Sequence, residues 1–150
     1  MTDAASLRRM VSNLLATQPL AALSTHGESG SHVSLIAFAA TDDLREVLFA
    51  TAKGTRKFRN LVAEPRVALL VDNRSNREAD FRDAMAVTIV GRAEEVESAD
   101  MDRGLTCYLR KHTLLREFVT SPGCALVRVR VEAYFVVTRF QHVQELRVEP

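Results

Sequence analysis

Strand-like segments follow one another along most of this chain, and helix-like segments seldom interrupt them. Six segments have the apolar, β-branched or alternating composition of β-strands: Leu20–Thr25, His32–Ala40, Glu46–Thr51, Arg66–Asp72, Ala84–Val96 and Ala125–Phe140. A doubly wound parallel sheet needs a helix between successive strands, so this order argues against one. The pattern predicts a mainly β (α+β) fold, a six-stranded antiparallel barrel with peripheral helices.

Three segments have helical periodicity instead. Ala4–Thr17 places its apolar residues on one side of a helix and ends before Pro19. Thr55–Glu64 predicts a short helix, and Ser98 to about Thr120 a longer one. The polar stretch Asn73–Asp83 is predicted to be a loop.

Three of the strands carry further information. Arg66–Asp72 is an almost unbroken apolar run, which indicates burial on both faces. Gly91 lies inside a long strand and predicts a bend or bulge there. On the last strand Arg128 and Arg130 alternate with valines and are expected to form a solvated face, or to meet acidic residues across a dimer interface.

Length and charge limit the classes of function. The 150 residues predict a single domain over residues 1–150, and 47% hydrophobic content is enough for a core. Lys plus Arg number 20 against 19 Asp plus Glu, which gives no support for a nucleic-acid surface. There is no secretion signal and no long apolar run, so we expect no membrane association and a cytoplasmic location.

Metal and thiol chemistry find little support. Cys107 and Cys124 are too few and too far apart for a zinc motif, and are expected to be buried thiols. The four histidines show no metal-ligand spacing. No Ser-His-Asp or Cys-His arrangement can be recognised, so catalytic side chains are not assigned.

The segment Ala50–Leu61 carries the chemistry that the sequence does suggest. An apolar strand runs into Lys53-Gly54, and a helix then starts with Thr55 as its N-cap and with Arg56 and Lys57 in its first turn. Cations there oppose the helix dipole, at a cost of about 0.3–1 kcal/mol each. Free backbone amides and two cations together favour a dianion such as phosphate. The alternative is a solvated basic face on a surface helix.

The order of segments resembles that of the pyridoxamine 5'-phosphate oxidase-like family of FMN-binding split barrels. The resemblance rests on HVSLIAF (His32–Phe38), FATAKGTRKFRNL (Phe49–Leu61), EPRVALLVD (Glu64–Asp72) and VTIVGRAEEV (Val87–Val96). The stretch T-R-K-x-x-x-L followed by P-R-V-A-L-L is the most specific part, and Ala125–Phe140 fits more loosely. The resemblance implies a split barrel with FMN as its cofactor.

By this resemblance, two groups of residues would hold the flavin. Arg56 and Lys57 match the basic pair that grips the FMN phosphate, beside Thr55 and the strand-end Thr51. The strand along the isoalloxazine ring would be formed by His32, Val33, Ser34, Leu35 and Ile36, acting largely through backbone groups. Family members are typically homodimers with FMN at the interface. The same is expected here, with Ala84–Thr88 and Asn73–Asp83 contributed by the partner.

Departures from the family pattern bear on the reaction. Met85-Ala86-Val87 stands where the true oxidases have Arg-Gln-Val, so a glutamine that contacts the flavin is missing. The chain contains no Trp, and Val136 lies about where the family has its C-terminal tryptophan. The Arg-Leu-His-Asp-Arg segment that holds the vitamin's phosphate is also absent. Oxidation of pyridoxamine phosphate is therefore not expected.

Three hypotheses about function remain. The first is an FMN-dependent oxidoreductase acting on a small-molecule substrate or electron donor. The second is a non-catalytic flavin carrier or sensor. The third keeps the barrel and exchanges the ligand for the deazaflavin coenzyme or for haem, with His142 as the axial ligand in the haem case.

Overall fold

The computed structural model describes residues 2–150, which contain seven strands and five helices. The strands are β1 Leu20–Gly27, β2 Gly30–Ala40, β3 Glu46–Ala52, β4 Arg66–Asp72, β5 Ala86–Glu95, β6 Cys124–Thr138 and β7 His142–Arg147. The helices are α1 Ala4–Thr17, α2 Arg56–Ala63, α3 Asp80–Asp83, α4 Ser98–Lys111 and α5 Arg116–Thr120, with a single 3-10 turn at Thr113–Leu115.

Six of the strands close into a barrel. Every pairing is antiparallel, the order is β3-β2-β1-β4-β5-β6, and β3 pairs with β6 to complete the ring. The predicted six-stranded antiparallel barrel with peripheral helices is therefore confirmed. β7 is an addition that pairs only with the second half of β6, beyond the part that β3 covers.

The bend predicted at Gly91 is present. The register between β5 and β6 shifts between Val90 and Gly91. A Cβ atom on Gly91 would lie 2.3 Å from the carbonyl oxygen of Arg130, so the bulged strand can approach β6 this closely only without a side chain.

Alternation along the strands separates two apolar clusters. The first fills the barrel and includes the four buried side chains of α1; its members include Leu7, Val11, Leu14, Leu15, Leu23, Phe38, Phe49, Leu69, Ile89 and Val129. The second lies outside the barrel, where α4 covers β2, β3 and β6; its members include Ala39, Leu48, Ala50, Tyr108, Leu109 and Leu126. These two clusters bury α1 and α4 and leave α2 as a short, mostly polar helix.

Several predicted boundaries were wrong for local reasons. The long helix ends at Lys111, where the His112 ring nitrogen lies 2.6 Å from the carbonyl oxygen of Phe38 and the chain turns away. The last strand ends at Thr138, because residues 139–141 adopt left-handed backbone angles and turn the chain into β7. The predicted loop contains the single helical turn α3.

Lys111 joins α4 to the end of α1. Its Nζ donates hydrogen bonds of 2.7 Å to the carbonyl oxygens of Leu15 and Gln18, which the end of α1 leaves without helical partners. The same nitrogen lies 3.8 Å from the centre of the Phe38 ring. A cation placed at a helix C-terminus also interacts favourably with the helix dipole.

We expect Lys111→Met to destabilise the protein by about 2 kcal/mol, because it leaves two carbonyl groups without a charged donor. For a domain of this size the melting temperature should fall by about 4–8 °C. Lys53→Met is the matched control, because Lys53 contacts Glu95 across 3.4 Å on an open surface, where such a pair contributes little. Equal shifts in the two variants by calorimetry would contradict the role given to Lys111.

Candidate functional site

The connection between β3 and α2 has the geometry that its sequence predicts. Thr55 is the N-cap of α2, and its Oγ1 accepts a hydrogen bond from the amide of Phe58 at 3.3 Å. The Thr55 hydroxyl donates to the carbonyl oxygen of Ala52 at 2.8 Å, and its Oγ1 lies 3.1 Å from that of the buried Thr51. The two predicted threonines therefore fix the first turn of α2 onto the end of β3.

Four cations surround this turn, and two of them are already engaged. Lys53 pairs with Glu95, and Arg59 donates a 2.8 Å hydrogen bond to the carbonyl oxygen of Gly54. Arg56 is exposed and Lys57 half-buried, and within residues 2–150 neither has a carboxylate within ion-pair distance. The two predicted phosphate ligands are the two cations left free.

Backbone donors point the same way. The amides of Arg56 and Lys57 are in the first turn of α2 and, in the described part of the chain, have no backbone or side-chain acceptor. Such amides carry the positive end of the helix dipole. Together with the two free cations, these amides form a site that suits a phosphate ester. Without a bound anion, the two like charges in the first turn destabilise the helix.

The five residues predicted to lie along the isoalloxazine ring, which we call the ring-strand residues, are on both faces of β2. Ile36 is buried in the barrel core, with Ser34 and His32 on the same side and half-buried. Val33 and Leu35 lie on the outer side and are 63% and 68% exposed. Among the described residues, the Ser34 hydroxyl is the single buried side-chain polar atom without a hydrogen-bond partner. An orphaned buried hydroxyl is costly, so it marks a place where a ligand atom would be favourable.

One residue that sequence reasoning missed connects the two predicted parts of the site. The Asn60 side-chain amide, on α2, donates a 3.1 Å hydrogen bond to the hydroxyl of Thr25 on β1. Thr25 in turn lies directly opposite His32 on β2. An Asn in a surface helix gives no sequence signal for such a contact, and only the packing of α2 on β1 reveals it.

An exposed apolar surface runs across β2, β1 and β4. We call it the outer apolar face; its large members are Leu20, Val33, Leu35 and Leu70. Ala22 lies opposite Leu35 on one side and opposite Leu70 on the other, so the three form a continuous row. The burial of both faces expected for β4 is therefore not achieved within one chain, since Leu70 is exposed.

A cavity of about 810 Å³ lies at the end of the barrel away from α2. Arg82, Met85, Arg139 and His142 are among the side chains that line it. Arg139, which lines it, and the next two residues, Phe140 and Gln141, have left-handed conformations, which non-glycine residues seldom adopt. The cavity therefore includes parts of both segments that we expected to face a partner's flavin, together with His142.

The histidine, carboxylate and cysteine side chains elsewhere in the region that the structure describes form no further reactive site. Within residues 2–150 no three His, Cys, Asp or Glu side chains are grouped as a metal site would require. Cys107 and Cys124 are free thiols, and burial raises the pKa of both, which makes them poor nucleophiles. Every helix in this range is too short or too polar to cross a bilayer.

The expected solvated face on β6 was wrong for one of its two arginines. Arg130 is exposed, but Arg128 is only 5% exposed. Its guanidinium contacts Glu94 at 3.0 Å and Asp100 at 3.1 Å, the latter on α4. Alternation assigned Arg128 correctly to the outside of the barrel, but α4 covers that part of the outside.

Comparison with solved structures gives many proteins of the same fold. A haem-binding protein from Mycobacterium smegmatis superposes with a TM-score of 0.84 at 15% identity, over 98% of this chain and 59% of that one. HutZ, the haem storage protein of Vibrio cholerae, gives 0.68 at 16% identity, over 83% and 89% of the two chains. A FAD-binding protein from Mesorhizobium loti gives 0.66 at 17% identity, over 85% and 91%.

These identities establish the fold alone, and the chain spans 59% and 61% of the first two structures it matches. The search of curated proteins found no match. Family assignment therefore rests on sequence: the model of the pyridoxamine 5'-phosphate oxidase family matches residues 7–138, which include both β2 and the β3–α2 connection. The chain belongs to the pyridoxamine 5'-phosphate oxidase family.

Proposed function

We propose that this protein binds FMN, with the phosphate at the start of α2, and acts as an FMN-dependent oxidoreductase on a small molecule. The observation that carries the proposal is the pair of free cations, Arg56 and Lys57, beside two free amides. The Mesorhizobium loti neighbour is described as FAD-binding, and FAD contains the ring and first phosphate of FMN. This likeness supports a flavin as the ligand and does not distinguish FMN from FAD.

The chain's own residues would supply position and charge. Bound FMN would bring the redox chemistry, which is hydride transfer at N5. Arg56, Lys57 and the Thr51–Thr55 pair would hold the phosphate, and the β2 backbone with the orphaned Ser34 hydroxyl would orient the ring. Met85-Ala86-Val87 still lacks the oxidases' glutamine, so we propose a substrate other than pyridoxamine phosphate.

We further propose that two copies pair through the outer apolar face. Leu20, Val33, Leu35 and Leu70 form an apolar surface of the kind that marks association sites. Two of them lie on the strand that would run along the flavin ring, so pairing here would bring a partner's residues to the cofactor. A two-fold interface uses the same patch on both subunits, which a single continuous row of side chains can provide.

Leu35→Asp tests this pairing. Each dimer would bury two new carboxylates without partners, so we expect the dimer dissociation constant to rise at least about a hundredfold. Leu114→Asp is the control, because Leu114 is 96% exposed in the 3-10 turn and is not a member of this face. Light scattering on a size-exclusion column should show a monomer for Leu35→Asp and a dimer for Leu114→Asp. A monomeric wild-type protein would contradict the proposal.

Haem binding is the second candidate function, and the cavity at the other end of the barrel favours it. His142 could ligate the iron there, Arg82 and Arg139 could pair with the two carboxylates of haem, and Met85 adds apolar surface. The Mycobacterium smegmatis and Vibrio cholerae neighbours are both described as haem proteins. Only a single imidazole supports this candidate, whereas several donors support the phosphate site, so we rank FMN first.

Spectra separate the candidates. We expect the protein to quench FMN fluorescence on titration and to bind FMN more tightly than riboflavin, while the Soret band of added haem stays that of free haem. A shifted and sharpened Soret band that is lost in His142→Ala, with no quenching of FMN, would replace the proposal by haem binding. Tight binding of the deazaflavin coenzyme, without binding of FMN, would identify that coenzyme as the cofactor. Steady turnover with NADH or NADPH and an electron acceptor would exclude a passive carrier or sensor.

A further inference from the structure

The side chain of Asn60 occupies a space that Gly27 leaves open. A Cβ atom on Gly27 would lie 2.3 Å from Asn60 Oδ1, which is far inside contact distance. The Gly27 backbone is not in a left-handed conformation, so the glycine is needed here for space and not for its torsion angles. From that space the Asn60 amide reaches the hydroxyl of Thr25, which is 1% exposed.

The helix that Asn60 pins has few other anchors. α2 is eight residues long and Leu61 is its one fully buried side chain. Helices of this length are not stable by themselves, so the direction of α2 depends on its contacts with the barrel. The Thr51–Thr55 hydroxyl contact fixes its first turn to β3, and the Asn60–Thr25 bond fixes its next turn to β1.

The two contacts that fix α2 lie next to the two parts of the candidate flavin site, the phosphate-binding turn and the ring strand. Arg56 and Lys57 lie at the start of α2. Thr25 lies opposite His32, the first of the ring-strand residues, and Gly27 lies opposite Gly30 at the end of the same hairpin. A ligand that contacts both α2 and β2 must match the spacing between them, and a misplacement of about 1 Å can cost much of such an interaction.

We propose that Asn60, accommodated by Gly27, is a positioning residue that sets the spacing between the phosphate-binding turn and the ring strand. The inference rests on the proposed FMN site. Asn60 contacts Thr25 of the barrel, so in this proposal it acts by placing Arg56, Lys57 and their amides. Its loss should therefore reduce the advantage of FMN over riboflavin, which has no phosphate to place.

The test measures dissociation constants for FMN and riboflavin in Asn60→Ala, Gly27→Ala and the double variant. We expect Asn60→Ala to weaken FMN about tenfold, equivalent to losing about one charge-assisted contact, with riboflavin changed less than about twofold. Gly27→Ala should do the same by displacing Asn60. The double variant should be no worse than Asn60→Ala alone, because the clash has gone.

Thr25→Val gives a second approach if a variant folds poorly, since it is nearly isosteric and removes only the hydroxyl partner. Asn13→Ala and Gly123→Ala are the controls; Asn13 is exposed on α1, and a Cβ on Gly123 meets no atom within 4 Å. A wild-type protein that does not bind FMN overturns the proposed function. Normal FMN binding by wild type and Asn60→Ala alike, or additive effects of Gly27→Ala and Asn60→Ala, overturns the positioning role alone.

Discussion

Replacing both Arg56 and Lys57 with alanine should weaken FMN binding about 150-fold, while riboflavin binding changes little. Each side chain can offer one charge-assisted contact to the phosphate, and such contacts contribute about 1.5–3 kcal/mol. Arg56 is exposed and Lys57 half-buried, so water reduces the gain and the lower value applies to each. Two such contacts amount to about 3 kcal/mol, which gives the expected factor.

The same double variant should be slightly more stable than wild type when no flavin is present. Both cations lie in the first turn of α2, where they oppose the helix dipole at about 0.3–1 kcal/mol each. Removing them relieves this cost, so the affinity for FMN and the stability of the free protein should move in opposite directions. A surface that is merely basic and solvated would show the second effect without the first.

Fluorescence titration and thermal unfolding measure the two effects. Arg9→Ala combined with Arg116→Ala removes the same charge from exposed positions on α1 and α5, and should leave FMN binding unchanged at moderate salt. Equal loss of FMN and riboflavin binding in the Arg56→Ala and Lys57→Ala double variant would contradict a phosphate role for the pair. A loss of FMN affinity in the control as large as that in the double variant would contradict it as well.

Local patterns in the sequence predicted the parts of the fold that local physics decides. Apolar, β-branched or alternating segments located the six barrel strands, and Thr55 identified the start of α2, because each depends on a few neighbouring residues. β7 was missed because His142–Arg147 is largely exposed and has no apolar alternation. It forms because β6 extends past its pairing with β3 and offers a free edge.

What covers a strand could not be predicted in this way. Alternation predicts that Arg128 lies outside the barrel, and it does; Val33 and Leu35 also lie outside it. Arg128 lies beneath α4, whereas the two β2 side chains have no cover within the chain. The same limit hid the Asn60–Thr25 contact, since residues 35 positions apart meet only after α2 packs on β1. The candidate phosphate site is local and was predictable; its positioning and its partner are not.

Arg128→Met should destabilise the protein by about 2–3 kcal/mol near neutral pH. The guanidinium lies within ion-pair distance of the carboxylates of Glu46, Glu94 and Asp100, and removing it leaves them close together without their shared cation. Breaking a fully buried pair costs about 3–5 kcal/mol. These carboxylates are partly exposed, so water reduces the expected cost to the bottom of that range or just below it.

The loss should depend on pH in a defined direction. A hydrogen bond from Arg130, with further help from Arg128, lowers the pKa of Glu94 from its ordinary 4.5, and a hydrogen bond from Arg128 lowers the pKa of Asp100 from 3.8. A carboxylate whose pKa is lower in the folded state stabilises the protein above its ordinary pKa, and this contribution is lost as the pH falls through the folded value. The difference in unfolding free energy between wild type and Arg128→Met should therefore be constant above about pH 5 and shrink below about pH 4.

Urea unfolding at several pH values, from below about pH 4 up to neutrality, measures that difference. Arg130→Met is the matched control; its arginine contacts the same Glu94 at 2.8 Å but is exposed, so it should cost only about 0.5 kcal/mol. A loss in Arg128→Met that stays the same at every pH would mean that the methylene stem of Arg128 packs under α4 and that its charge contributes nothing. A loss that shrinks in acid would show that the ion pairs with Glu94 and Asp100 hold α4 against the barrel, because Asp100 is the member of the cluster that lies on that helix.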